Sequence, residues 1–416
     1  MFSHRFGILG RSVHGLLAHD SVHRARTMRR EHTGTYESTI GGGERVRAFV
    51  PRPLPPVPEV SFREGLRRPL ETATTALGRL DAVTELLPDP GVFVYGYVRR
   101  EAVLSSQIEG TQSSLADLML HEAGGVPPAR AGDALEASNA VAALDHGIER
   151  LRNGFPLSNR LLREMHARLL SSGRGKAMMP GEFRRSQNWI GGSRPGNAAF
   201  VPPPPHLVQA CMADLERFVH AEDDALPVLV KAGLAHVQFE TIHPFLDGNG
   251  RLGRLLITLM LCDAGLLREP LLSLSLYFKR NRSAYYRLLN DTRHTGDWEA
   301  WLEFFLEGVR EVAEGAVAMA RSASDTIRED RSRIGGMGRR AGSALRVHQS
   351  LVERPVGDIR HLVQRTGLSA PTVASALRAL AQLDMVREVT GRQRGRIFAY
   401  ERYLAVLREG TEDPPG

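Results

Sequence analysis

Apolar residues recur at helical spacing along most of this chain. Between Glu64 and Leu87 they fall at Leu66, Leu70, Ala73, Leu77, Leu80, Val83, Leu86 and Leu87, mostly three or four apart, which predicts an amphipathic helix. The same spacing predicts helices over Phe93 to Gln107, Asp133 to Arg152, Ser158 to Leu170, His206 to His220, Asn281 to Leu289 and Trp298 to Ala318, with Trp298 and Trp301 as core. Leu115 to His121 is another, with Ser113 or Ser114 as its cap. Two strongly apolar segments, Val228 to Phe239 and Leu252 to Leu261, read as a pair of helices around a short break. Over Gly181 to Pro205 the period changes. There Phe183, Trp189, Ile190, Phe200 and Val201 flank a Gly/Pro/Asn turn, which predicts a β-hairpin.

Beyond a charged linker, Arg321 to Arg340, a second pattern begins. Short helices are predicted at Ala344 to Val352, Gly357 to Arg365 and Thr372 to Leu383, then two strands, Val386 to Val389 and Arg396 to Tyr400, around Gly391 to Gly395. This is the order of a winged helix-turn-helix. At the other end, the first forty residues are rich in Arg and His and poor in acids. Gly41-Gly42-Gly43 and a proline-rich run, Pro51 to Pro58, follow. The segment faintly resembles a transit peptide, Met28 is an alternative start, and residues 1–50 are expected to be a disordered leader. The chain thus divides into that leader, an N-terminal helical region (51–125), a helical core (126–330) and the C-terminal winged unit (331–416). The fold class is mainly α.

Composition adds little to the fold and something to the setting. The 416 residues are 42% hydrophobic and 24% charged, ordinary for a globular protein of two or three domains. Net charge is +7, carried almost wholly by Arg, which suits anionic partners and solubility alike. Cys211 and Cys262 lie inside apolar helical patterns, so buried free thiols in a reducing, cytoplasmic compartment are expected. No apolar run reaches the ~18 residues of a membrane span.

The chemistry concentrates at the break between the two apolar helices, His243-Pro-Phe-Leu-Asp-Gly-Asn-Gly-Arg-Leu-Gly-Arg254. Pro244 disfavours a helix through His243. Gly248-Asn249-Gly250 turns the chain and brings bare N–H groups to the start of the next helix, a ready anion site. Arg251 and Arg254, three apart, reach the same anion. Asp247 is a hard oxygen ligand suited to Mg²⁺ on phosphates, and His243 is a base near neutral pH. No P-loop is present, and His236 and His243 are not at zinc-ligand spacing.

The stretch resembles the Fic (Fic/Doc) family motif, H-x-F-x-[D/E]-G-N-G-R-x-x-R, with every fixed position filled: His243, Phe245, Asp247, Gly248, Asn249, Gly250, Arg251 and Arg254. The resemblance extends over roughly Pro51 to Ala318. It implies a Fic-type helical bundle, ATP as co-substrate, and transfer of AMP to a Ser, Thr or Tyr hydroxyl of a target protein. His243 would be the general base and Asp247 the Mg²⁺ ligand. The Gly248, Asn249 and Gly250 backbone, the Asn249 side chain, Arg251 and Arg254 would hold the phosphates. Ser105-x-x-x-Glu109-Gly110 resembles the family's inhibitory motif, with Glu109 pairing Arg254. The 181–205 hairpin resembles the target-clamping flap, and Tyr277, Asn281, Tyr285 and Tyr286 resemble adenine-side positions.

Residues 331–400 hold 13 Arg and no Lys against 4 Asp plus Glu. Arg360, Arg365, Arg378, Arg392, Arg394 and Arg396 fall on or near the predicted helices and wing, which suits DNA phosphates. A protein-interaction or dimerisation module with a solvated basic face is the alternative, and a homodimer stays open. Two further readings of the whole chain also stay open. One is a Fic protein that removes AMP or transfers another phosphate-containing group; the other is a DNA-binding regulator with an idle or sensory Fic core.

Overall fold

The structure, a computed structural model, describes residues 30, 33–62, 65–87, 89–125, 128–222 and 226–411. The leader expected over 1–29 lies outside them. The leader expected over 34–50 is instead a hairpin of β1 (Gly34–Gly41) and β2 (Glu44–Pro51), paired antiparallel from Gly34↔Pro51 to Gly41↔Glu44. Gly42 and Gly43, with φ of 53° and 82°, make its two-residue turn, which demands two positive φ values. Ala48 and Phe49 are buried, and the Phe49 N–H donates to the Val201 carbonyl at 2.9 Å. The glycines that looked like disorder are turn chemistry.

Helices follow in the order the periodicity predicts: α1 (Arg67–Leu86), α2 (Pro90–Ile108), α3 (Leu115–Glu122), α4 (Pro128–Arg152), α5 (Asn159–Leu169), α6 (Pro205–His220), α7 (Val228–Ile242) and α8 (Asn249–Asp263). Ser114 closes a capping box with Asp117, and Ser158 caps α5. Between α5 and α6 the expected 181–205 hairpin is reduced to a single bridge, Ile190↔Phe200, with a 3₁₀ turn at Pro195–Asn197. Prolines 202 to 205 remove N–H donors, and Gly191 and Gly192, with φ of 68° and 73°, leave the extended geometry a ladder needs. The segment leans on the β1–β2 hairpin, where Glu44 accepts from Arg194 at 2.7 Å and from the Gly196 N–H at 2.9 Å.

The short α9 (Ser275–Arg280) leads into α10 (Arg282–Thr295) and then α11 (Trp298–Gly335). The expected linker at 321–340 is mostly α11 itself, 38 residues long. Ala320, Ala323, Asp330 and Ile334 continue its buried face, and Asp330 accepts from Tyr400 Oη at 2.6 Å and from Arg402. A boundary at residue 330 therefore falls inside a helix. Next come α12 (Ala341–Glu353), β3 (Val356–Asp358), α13 (Ile359–Thr366), α14 (Ala370–Gln382), β4 (Val386–Glu388), β5 (Ile397–Tyr400) and α15 (Glu401–Arg408), with sheet order β3-β5-β4. That is the arrangement expected of the C-terminal unit, with β3 and α15 added.

The bundle forms around α7, buried along nearly its whole length, as a helix apolar on all sides must be. Trp301 Nε1 donates to the Gly233 carbonyl at 2.9 Å, and a Cβ on Gly233 would lie 2.9 Å from Leu302, so glycine permits the close approach of α7 and α11. α2 lies between this core and the C-terminal unit. Tyr403 Oη donates to the Val92 carbonyl at 3.2 Å, Arg100 reaches the Glu409 carbonyl at 3.3 Å, and Leu407 rests on Gly96. Cys211 and Cys262 are free thiols whose pKa values burial pushes up to about 11 and about 12. Among the described residues no helix is long and apolar enough to cross a membrane.

Candidate active site

The break between α7 and α8 is built by local bonds rather than by glycine alone. His243 ends α7 in the left-handed region (φ 49°), and Gly248 (φ 77°) opens α8. Phe245 between them is fully buried. The Asn249 side chain accepts from the Phe245 N–H and donates to its carbonyl, both at 2.9 Å. His166 stacks on the Phe245 ring with centroids 3.8 Å apart. Its Nδ1 accepts from the Gly181 N–H at 2.8 Å, so Nε2 must carry the proton that it donates to the Asp247 carbonyl at 2.9 Å. Burial holds this imidazole neutral, with its pKa down at about 4.

A second brace comes from two buried arginines. Arg184 donates to the His243 carbonyl at 2.9 Å and the Ile242 carbonyl at 3.3 Å; Arg293 donates to the Glu240 carbonyl at 3.1 Å. Cations at a helix C-terminus satisfy its orphan carbonyls and oppose its dipole. They also act on His243. Burial first, then Arg293 and Arg184, push its pKa down to about 3. The imidazole is therefore neutral near pH 7, the form a base needs. Its ring is about one-fifth exposed; Nδ1 is sealed from solvent, so Nε2 is the open nitrogen.

At the head of α8 the first-turn N–H groups have no intrahelical acceptors. Over them lies a carboxylate from α2: a Cβ on Gly250 would land against Glu109 Oε1. That oxygen accepts from Arg254 Nη2 at 2.8 Å. Arg254 is buried, and it also donates from Nε to Ser105 Oγ and from Nη2 to the Ser105 carbonyl, each at 2.9 Å. Burial alone would raise the Glu109 pKa. The Arg254 charge and hydrogen bond, then Arg251 and His243, outweigh it and hold the carboxyl below its ordinary value. Glu101, a turn or two earlier, pins α2 in place through the Ser273 and Ser275 hydroxyls.

Arg251 is buried and pairs with Glu136 of α4 at 3.3 Å and Asp247 at 3.5 Å; Glu136 also takes Arg174 at 2.7 Å. Asp247 remains nearly half exposed. No group of three or more His, Cys, Asp or Glu among the described residues could cage a metal. One open carboxylate does suit a Mg²⁺ that arrives already coordinated by phosphates.

The structure thus gathers His243, Asp247, Gly248, Gly250, Arg251, Arg254, Ser105 and Glu109 at one place, with Gly110 (φ 97°) turning the chain after α2. Four expectations need correction. The Asn249 side chain is spent on the loop, leaving only its backbone N–H for a ligand. Tyr285 is 1% exposed and donates into the core toward His236 at 2.9 Å, because apolar neighbours Phe278 and Trp301 enclose it. Tyr277 is also buried, against Phe304 and Gly308, and Asn281 donates to the Tyr277 carbonyl at 3.0 Å as part of the α9–α10 junction. Tyr286, by contrast, is 41% exposed and feels the charges of Glu109 and Arg254. The sequence reading passed over Glu136, His166, Arg184, Glu240 and Arg293. Only Glu240, one helical turn before His243, had a positional signal.

Comparison with known proteins identifies the domains in which this loop lies. The Fic/DOC family N-terminal profile matches residues 67–149 and the Fic/DOC family profile matches residues 156–261, which includes the whole 243–254 loop. The chain carries the Fic/DOC family domain pair. It is 31% identical over 183 residues to the protein adenylyltransferase Fic of Culex quinquefasciatus and 29% identical over 181 residues to that of Drosophila ananassae. Each alignment covers 42% of this chain and 33% of the relative, so the chain spans about a third of the curated proteins it matches. The Fic fold is shared with a Fic family protein from Desulfovibrio desulfuricans G20 (TM-score 0.53, 22% identity, 82% of this chain and 97% of that one). A Fic domain containing signaling protein from Bacteroides thetaiotaomicron VPI-5482 is also similar (TM-score 0.50, 18% identity, 60% and 97%).

Proposed function

We propose that this Fic chain transfers AMP from ATP to a hydroxyl of a target protein and is held off by its own Glu109. The observation that carries the reading is the 2.8 Å Glu109–Arg254 pair lying over the head of α8, an anion occupying an anion site. With Glu109 withdrawn, the α8 N–H groups and Arg254 receive the polyphosphate, and Arg251 adds charge on the same helix face. Asp247 would hold Mg²⁺ arriving with the nucleotide, which would supply positive charge at the phosphates. His243 Nε2 accepts the proton of the target hydroxyl as that oxygen bonds to the α-phosphorus. The bond to the β-phosphate oxygen breaks and pyrophosphate departs. Such transfer is mostly positioning and electrostatics, which is what these residues supply.

Glu109→Gly protein given ATP labelled at the α- or the γ-phosphate tests this. Label should enter protein from the α position alone. Entry from the γ position, or from neither, overturns the reading.

We propose a second role for the C-terminal unit, contact with duplex DNA. Arg360, Arg378, Arg392 and Arg394 are exposed and make no ion pair among the described residues. Phosphate contacts of this kind give binding that weakens steeply with salt. Fluorescent duplex titrated with the full chain at increasing salt checks it; absence of binding at low salt favours a protein-interaction module.

A further inference from the structure

Two buried polar groups at the base have no hydrogen-bond partner among the described residues: His243 Nδ1 and Glu240 Oε1. Their residues face each other, with Glu240 Oε2 3.8 Å from Nδ1. Buried polar atoms left unmatched are costly, so two that adjoin in a site call for an explanation. The gap is too long for a hydrogen bond, and a shift of about 1 Å closes it. Catalytic bonds are often this loose before substrate arrives and tighten on binding.

The requirement on His243 fixes what the missing bond must be. To accept a proton at Nε2, the neutral ring must carry its hydrogen on Nδ1, and that hydrogen needs an acceptor. The Glu240 backbone carbonyl also acts on the ring, but it already takes Arg293, as the Ile242 and His243 carbonyls take Arg184, and none of them carries the charge that the Glu240 carboxylate can offer. We propose that Glu240 is a positioning residue for His243, accepting the Nδ1–H and so aiming the Nε2 lone pair at the target hydroxyl. This rests on the AMP-transfer reading above. When Nε2 takes the hydroxyl proton, the ring becomes a cation, and the Glu240 carboxylate steadies it while Nδ1–H stays on the ring. A base oriented by a third group is the general form of such sites.

The surroundings of Glu240 fit the role. Burial pushes its pKa up to about 7, with Arg254 opposing, Glu109 adding and Arg293 opposing. Tyr285 and Tyr286 of α10 are the remaining titratable groups that feel its charge. Glycine at 253 of α8 leaves room for the carboxylate, since a Cβ there would lie 2.7 Å from Glu240 Oε1. In the free protein, then, an acid limb near pH 7 belongs to Glu240, because His243 is already neutral there.

The test combines spectroscopy and rate. In protein labelled with ¹⁵N-histidine, with His243 identified through His243→Ala, the ring should show one tautomer, hydrogen on Nδ1. Glu240→Gln retains an acceptor oxygen and should keep that tautomer, whereas Glu240→Ala should give a mixture. In the Glu109→Gly background, Glu240→Ala should lower kcat on the order of tenfold, part of the 10²–10⁴ that a positioned base supplies, with the KM for ATP little changed. Glu240→Gln should restore most of the rate and flatten the acid limb. An unchanged tautomer in Glu240→Ala, or equal rates and pH profiles in all three proteins, overturns the proposal. If the Glu109→Gly parent moves no AMP, the functional reading fails separately, and the tautomer spectrum still decides the pairing.

Discussion

On the proposed reading, replacing Glu109 with glycine should free both the head of α8 and Arg254. The carboxylate lies over the first turn of α8 and holds Arg254 through one charge-assisted hydrogen bond of 2.8 Å. A bond to a charged group is worth about 1.5–3 kcal/mol when buried. The Glu109 side chain is 36% exposed, so solvent screening argues for the lower end, about 1.5 kcal/mol. That corresponds to roughly tenfold in the productive binding of a polyphosphate, since 1.4 kcal/mol is a factor of ten. The assay is incorporation of α-labelled ATP into the protein itself at subsaturating nucleotide, with wild type, Glu109→Gln and Glu109→Gly in parallel. Labelling should rise about tenfold in the glycine variant, and the neutral, similarly sized glutamine should fall between. Equal labelling in all three refutes the inhibitory contact. So does an equal rise when His243 is also replaced, because that rise would not pass through the base.

His243→Ala should abolish transfer while calorimetric nucleotide affinity stays within about twofold, since a base adds to the transition state and little to the ground state. Glu240 gives a stability signature with a definite sign. An acid whose folded pKa is raised from about 4.5 to about 7 stabilises the fold below pH 4.5 and loses that contribution as pH rises through 7. Glu240→Gln should therefore gain up to about 3 kcal/mol relative to wild type between pH 5 and pH 8, read as a Tm difference; no pH dependence of that difference contradicts the buried acid. Gly96→Ala puts a Cβ 2.5 Å from Leu407 and should cost about 1–3 kcal/mol by overpacking the seam between α2 and the C-terminal unit. An unchanged Tm would mean that seam is loose. Arg392→Ala with Arg394→Ala should weaken duplex binding and shorten the log–log salt slope by about two.

The loop itself was legible because its chemistry is local. Each functional group between His243 and Arg254 lies within twelve consecutive residues, and Pro244 and Gly248 mark the helix ends that the structure contains. The Glu109 pairing was legible only through family resemblance, since 145 residues separate it from Arg254. Glu136, Arg184 and Arg293 had no such pattern to reveal them; each reaches the site across tertiary contacts. Tyr285 misled because an aromatic stripe looks alike on a ligand face and in a core, and the His236 and Trp301 neighbours that decide the matter are distant in sequence. The β1–β2 hairpin was missed because glycines and few acids mask an alternation that only Phe49 and Phe200, 5.9 Å apart, make worth burying. Helix α11 overran its expected end because Ala320, Ala323 and Ile334 are small steps of one buried face, hidden among charges.

Intact-mass spectrometry of Glu109→Gly protein after incubation with Mg·ATP, beside the same variant carrying His243→Ala, addresses the central claim directly. The first protein should gain the mass of one or more adenylyl groups and release pyrophosphate, and the second should gain none. No adduct on the first, or the same adduct on both, would contradict a base at His243 working on a nucleotide that Glu109 otherwise excludes.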